Sequence, residues 1–201
     1  MSAVSLAKLS FRLNRAAGVS SRLPGVILLT DEARLPDPLV AAAALPRGGA
    51  VILRHYDAPG RENLGRELMA LCRQRGLALL IAGDWRLAWK LGAHGVHLPE
   101  WQLWRPPAVA RKPGWLITAA AHSPSALVRA ARLGVHGALL SPLFPTASHP
   151  GAPALGVVAF AAAVRQAPLP VYGLGGITAT NARRLASTGA AGIAAISGLA
   201  L

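Results

Sequence analysis

Gly175 and Gly176 follow an apolar run directly and precede a hydroxyl-rich segment, within PVYGLGGITATNARRLASTGAAGIAAISG over 170–198. A backbone without Cβ atoms can turn its N–H groups toward a ligand. Amide donors at a helix start hold anions such as phosphate. A helix expected over 178–187 supplies that start. The next apolar run ends at Ile196-Ser197 and brings further amides to the same side of a sheet. Two glycines are also an ordinary turn, so the phosphate reading rests on the order strand, Gly-Gly, helix, strand. The loop SPLFPTASHPG over 141–151 adds Thr146, Ser148 and His149 between prolines. Its hydroxyls can donate to a phosphate or satisfy their own backbone.

Proton chemistry needs a different kind of residue. His122 ends an apolar run just before Ser123-Pro124. An imidazole there can act as general acid/base near neutral pH, or it can help cap the next helix. Asp84 ends another apolar run and has three readings: general base, Mg²⁺ ligand, or N-cap of the helix that follows. A lone carboxylate does not hold Mg²⁺ without help, so no metal site is assigned. His97 and Glu100 are further polar residues at a strand end. No nucleophile elbow and no zinc spacing is present. Cys72 is the only cysteine, which excludes an intramolecular disulfide, and it is expected in the core.

The elements that must position these residues are short apolar runs alternating with helical patterns, the signature of βα units. The runs are 26–30, 50–54, 78–82, 95–98, 116–120, 137–141, 171–174 and 192–197. The clearest helical patterns are 61–75, 124–133, 157–166 and 178–187. Eight such units predict a single (β/α)₈ TIM barrel of the phosphate-binding type, with its chemistry at the C-terminal ends of the strands. Three stretches, LGAHGVH from Leu91, LGVHGAL from Leu133 and TGAAGIA from Thr188, share one grammar of helix stop, turn and new strand. His94 and His136 sit in these joints, facing away from the chemistry, and read as structural.

Residues 1–24 form a basic N-terminal extension, read as an amphipathic helix with Val4, Ala7 and Phe11 on one side, or else as a transit peptide. The barrel occupies 25–201. No eighth outer helix is expected, so the N-terminal helix or a second copy of the chain, as a homodimer, must cover the flank of strand eight. The chain has 201 residues, 53% hydrophobic and 14% charged, with a net charge of +13. That charge is scattered through Ala-rich helices with little aromatic interleaving, which argues against nucleic acid and for anionic small molecules. The apolar runs are too short to span a membrane. No secretory core is evident, and a cytoplasmic location is expected.

The strand ends resemble the thiamin phosphate synthase/TenI family over 26–201. The carrying motifs are LLTD (28–31), VILR (51–54), GD (83–84), GAHGVHLPE (92–100), SPLFPTASHPG (141–151), GLGGIT (173–178) and AAISG (194–198). The resemblance implies a barrel that binds thiazole phosphate, with the phosphate on Gly175, Gly176, Ile196 and Ser197, near Thr146 and Ser148. Synthase members join a pyrimidine pyrophosphate to the thiazole and use Mg²⁺. Arg54 and Asp84 match positions of that machinery. Ile52, Tyr56, Gly83, Gln102, Ala120 and His149 stand where the family carries Gln, Lys, Asn, Asp, Ser and Lys. TenI members tautomerise a thiazole phosphate carboxylate with a histidine, matched here by His122, and need no cofactor. The resemblance therefore implies a TenI-like tautomerase, with Mg²⁺-dependent synthase activity as the alternative. A non-catalytic sensor or partner subunit for the same ligand is a third reading.

Overall fold

The computed structural model describes residues 3–107, 113–146, 151 and 153–199. Its strands are β1 (Val26–Leu29), β2 (Ala50–Leu53), β3 (Ala78–Ala82), β4 (Gly95–Leu98), β5 (Leu116–Ala121), β6 (Gly137–Leu140), β7 (Val171–Leu174) and β8 (Gly192–Ala195). All are parallel and pair in chain order, and β1 pairs with β8 to close the barrel. The helices are α1 (Ala3–Ala16), α2 (Pro38–Ala43), α3 (Arg61–Arg75), α4 (Trp85–Lys90), α5 (Glu100–Trp104), α6 (Pro124–Arg132) and α7 (Gly156–Gln166). The expected (β/α)₈ barrel is thus the fold observed. The apolar runs at 26–30, 50–54, 137–141 and 192–197 each extend past their strand. Their last residues leave the sheet to build its upper rim.

Side chains alternate across a strand, which splits the core in two. Ile27, Leu29, Ile52, Leu80, Leu139 and Tyr172 point inward. Val26, Leu28, Val51, Leu53, Leu79 and Ile81 point outward beneath the helices. The repeated joint explains how so large a ring as Tyr172 fits inside. Its second glycine is the first residue of β4, β6 and β8. At Gly192, a Cβ would lie 2.9 Å from the Tyr172 ring. The freed space lets Tyr172 Oη donate to Pro24 O at 2.7 Å. His94 and His136 are structural, as expected. Each Nδ1 accepts a strand amide, Leu79 N–H at 3.0 Å and Ile117 N–H at 2.9 Å.

Helix α1 lies against β8 and covers the flank that the sequence left open. Its buried stripe is Leu6, Ala7, Ser10 and Leu13, which includes Ala7 of the expected face; the Val4 side chain lies outside what the structure describes. Phe11 packs at the edge of the core. The stripe is set by a polar anchor that an apolar pattern does not reveal. Ser10 Oγ donates to Gly25 O at 2.6 Å and accepts from Ile193 N–H at 2.6 Å. Asn14 Nδ2 donates to Ala191 O at 2.9 Å.

The expected helix over 178–187 is corrected to a four-residue 3₁₀ turn, Ala182–Leu185. Local side chains compete for the backbone there. Asn181 Oδ1 accepts from Thr178 N–H at 2.9 Å, and Asn181 Nδ2 donates to Gly176 O at 2.8 Å. No α-helix dipole therefore stands behind Gly175-Gly176, and any anion there relies on the amides themselves.

Candidate functional site

The loops above β6, β7 and β8 converge. Gly175 and Gly176 have φ of +94° and +64°, and a Cβ at Gly176 would meet Phe144 O at 2.7 Å and press on Pro145 O. Only glycine allows this approach. Leu143 N–H donates to Leu174 O at 2.9 Å and Phe144 N–H to Gly175 O at 3.1 Å, which stitches the β6 loop to the β7 loop. A cavity of about 420 Å³ opens beside this seam. Gly175, Gly176, Ile196 and Ser197 line it, with Ser141 and Thr146 from the β6 loop. Arg54, from the end of β2, lines it as well. Ser148 and His149 lie outside the described residues.

Arg34 lines the same cavity, and sequence reasoning missed it. Its signal was the i,i+3 spacing from Asp31. Asp31 Oδ1 accepts Arg34 N–H and Arg34 Nε–H, both at 3.1 Å, and Asp31 Oδ2 accepts from Arg34 Nη2. Arg54 Nη2 stands 3.6 Å from the same oxygen. The hydrogen bonds from Arg34 hold the Asp31 carboxyl below its ordinary pKa. Arg54 is anchored at its backbone too, donating N–H to Thr30 Oγ1 at 3.0 Å. The Thr30 hydroxyl is 2.8 Å from His55 Nδ1, and burial lowers the His55 pKa.

His122 and Asp84 do not line this cavity. His122 Nδ1 lies 2.7 Å from Glu100 Oε2, and the same oxygen accepts His122 N–H at 2.5 Å. The cap of α6 is Ser123, whose Oγ accepts Ala126 N–H at 3.2 Å, so His122 is not needed for capping. His122 follows Ala121, whose carbonyl accepts Ser141 N–H at 3.0 Å from the cavity wall. The backbone before His122 thus adjoins the cavity wall, while its imidazole pairs with Glu100 from the β4 end. Asp84 is the N-cap of α4, accepting Leu87 N–H at 2.9 Å, and its other oxygen is 4.0 Å from Arg61 Nη1.

At the β2–β4 ends of the barrel several side chains pack against one another. Ile52 is fully buried. The Tyr56 ring is 3.2 Å from where a Gly83 Cβ would stand. Arg61 donates to Ala82 O at 2.5 Å and stacks 5.7 Å from the Tyr56 ring centroid. Gln102 is buried, its Nε2 donating to Gly83 O at 2.9 Å while its Oε1 has no hydrogen-bond partner. These residues do not fit Mg²⁺, which seeks carboxylate oxygens in an octahedron. Asp84 is committed to a helix amide and faces a guanidinium, and Gln102 offers no carboxylate. Among the described residues, no three His, Cys, Asp or Glu side chains cluster as a metal site. His97 points into the barrel with Nδ1 2.9 Å from Thr118 Oγ1, and burial drives its pKa to about 3. It is a neutral packing residue rather than an acid/base.

A family model described as thiamine monophosphate synthase matches residues 26–199. The thiamine-phosphate synthase of Chlorobium luteolum is 38% identical over 186 residues, 89% of this chain and 86% of that one. A putative thiamine-phosphate synthase 2 of Aquifex aeolicus is 33% identical over 87% of this chain and 97% of that one. Among solved structures, thiamine phosphate pyrophosphorylase from Pyrococcus furiosus superposes with a TM-score of 0.70 at 26% identity. It covers 88% of this chain and 87% of its own. Among the described residues, no helix is long and apolar enough to cross a membrane.

Proposed function

Because the chain belongs to the thiamine monophosphate synthase family, we propose that its cavity binds thiazole phosphate and that its reaction is a TenI-like tautomerisation. The observation that carries this reading is the division of the rim. The half bearing Gly175, Gly176, Ile196 and Ser197 opens on the cavity, whereas at the β2–β4 ends Ile52 and Gln102 are buried and Asp84 is held as the cap of α4 opposite Arg61. A departing pyrophosphate needs concentrated positive charge around it. A tautomerisation needs one proton taken from the substrate and one returned at another atom.

His122 is suited to that exchange. Its Nδ1 lies 2.7 Å from Glu100 Oε2, and an imidazole held in this way can take a proton from one substrate atom and return it at another. Glu100 orients the ring, as a carboxylate behind a catalytic histidine does. The phosphate would rest on the amides at Gly175-Gly176 and Ile196-Ser197, with Thr146 beside it. This chemistry calls for no metal.

Synthase activity is the second reading, favoured by the names of the Chlorobium and Aquifex relatives and by Arg54 at the cavity wall. One experiment separates the two. Purified protein is given the thiazole phosphate carboxylate, or thiazole phosphate with the pyrimidine pyrophosphate, with and without Mg²⁺, and the products are followed by NMR. The expected result is tautomerisation that is indifferent to Mg²⁺ and falls at least tenfold in His122→Ala. Robust Mg²⁺-dependent thiamin phosphate formation would restore the synthase.

A further inference from the structure

We propose that the N-terminal face of the barrel, opposite the Gly175–Gly176 cavity, carries a separate binding site for a small oxyanion of the phosphate class, read by Arg22, His94 and His136.

Three features carry it. First, open space stands at the end of the barrel that ordinarily serves stability alone. The segment between α1 and β1 crosses this face as a strap. Its Leu23 packs into the barrel interior, and its Pro24 O accepts Tyr172 Oη–H at 2.7 Å. Two hollows of about 450 Å³ each adjoin the strap and share Arg22, Leu23, Ala78 and His94. His136 and Trp115 line one of them, and Arg73 lines the other.

Second, the polar side chains of the wall are mostly donors. His94 and His136 each spend Nδ1 on a strand amide, Leu79 N–H and Ile117 N–H. A neutral imidazole whose Nδ1 accepts carries its proton on Nε2. Each ring thus has a second N–H to give and no free lone pair, which suits an anion and not a metal ion. Burial, and after it the charge of Arg73, lowers the His94 pKa, which keeps that ring in its neutral form. Trp115 adds a buried indole N–H without a hydrogen-bond partner, and a buried donor normally has an acceptor. The strap, the β4 joint and the β6 joint each supply donors. Three separate sources suit an ion with oxygens on several sides better than a planar carboxylate.

Third, the chain sets none of its own carboxylates here. Neither hollow has Asp or Glu in its wall. All eight acidic residues follow strand ends or lie in the first half of the next helix, which gathers them toward the opposite face. A concave wall of one charge sign focuses its field and concentrates counter-ions.

Inorganic phosphate, titrated into the full chain at constant ionic strength and followed by NMR of the histidine ring nitrogens, tests this. The Nε2 signals of His94 and His136 should move together and saturate. Arg22→Gln should weaken that binding at least tenfold, as expected for loss of a charge-assisted hydrogen bond. His94→Asn returns an acceptor to Leu79 N–H but lacks the far N–H. It should weaken binding, read at His136, by about threefold with little change in melting temperature. Ser197→Asp, on the opposite face, should leave both histidine shifts as in the wild type. Histidine signals that stay still, or that drift without saturating, would overturn the proposal. So would saturable shifts that survive Arg22→Gln unchanged. Shifts that vanish in Ser197→Asp would overturn it too, since they would then report an anion at the β7–β8 end.

Discussion

Acid should unfold this protein through His97, and the size of the effect follows from its position. The imidazole is 3% exposed and faces the barrel interior, where burial, reinforced by the charge of Arg54, lowers its pKa from 6.5 to about 3. The folded state thus holds a neutral ring that the unfolded chain protonates below pH 6.5. Stability is fully present above 6.5 and is lost as pH falls toward the folded value, where the ring finally charges. Each pH unit in that window costs about 1.4 kcal/mol. At pH 5, one and a half units into the window, the loss comes to about 2 kcal/mol. His97→Asn keeps a hydrogen-bonding group near Thr118 but cannot titrate. Urea unfolding of both proteins from pH 7.5 to 4.5 should give curves that diverge below 6.5, the wild type falling more steeply by about 1.4 kcal/mol per unit. Any constant offset from repacking does not affect that difference in slope. Parallel curves would refute the argument, because the ring would then be reached by water or paired with an anion.

Ser197→Asp should weaken thiazole phosphate binding at least tenfold by calorimetry with little change in melting temperature, since it sets a carboxylate at the amides of the β8 end. Gly176→Asp is a poorer probe, because its Cβ would meet Phe144 O at 2.7 Å and disturb the loop itself. Ser10→Ala should destabilise the fold by about 2–3 kcal/mol in urea, since Gly25 O and Ile193 N–H both lose a buried partner. Cys72, buried with its thiol pushed up to about 12, should resist iodoacetamide in the native protein and react once urea unfolds it.

The barrel was legible because its signals are local and repeated. Most apolar runs abut a glycine or proline, and the joints at Leu91, Leu133 and Thr188 mark where three strands begin. The segment 178–187 shows where this stops working. Its composition admits a helix, and only the bonds that Asn181 makes to Thr178 and Gly176 decide against it. The stripe of α1 was legible only in part for a related reason. Ser10 counts as polar in any pattern, yet it is fully buried because two backbone groups of other segments meet it.

The candidate site was legible in the same uneven way. Gly175, Gly176, Ile196, Ser197, Thr146 and Arg54 lie at strand ends, and a closed barrel brings strand ends together whatever the loops do. Roles that depend on side-chain partners were left open by the sequence, and the structure separates them. Asp84 was read as base, metal ligand or cap; Leu87 N–H and Arg61 commit it to the cap. His122 was read as acid/base or cap; Ser123 takes the cap, and the imidazole Nδ1 lies 2.7 Å from Glu100 Oε2. Glu100 and His122 are 22 residues apart, so no spacing rule joins them; the pairing exists because β4 and β5 are neighbours. Arg34 was hidden by the opposite circumstance. It pairs with Asp31 three residues away, which in sequence looks like a surface turn, and only closure of β1 against β8 brings that turn to the cavity wall. A residue's chemistry can thus be named from its type, but its assignment belongs to the neighbours that topology supplies.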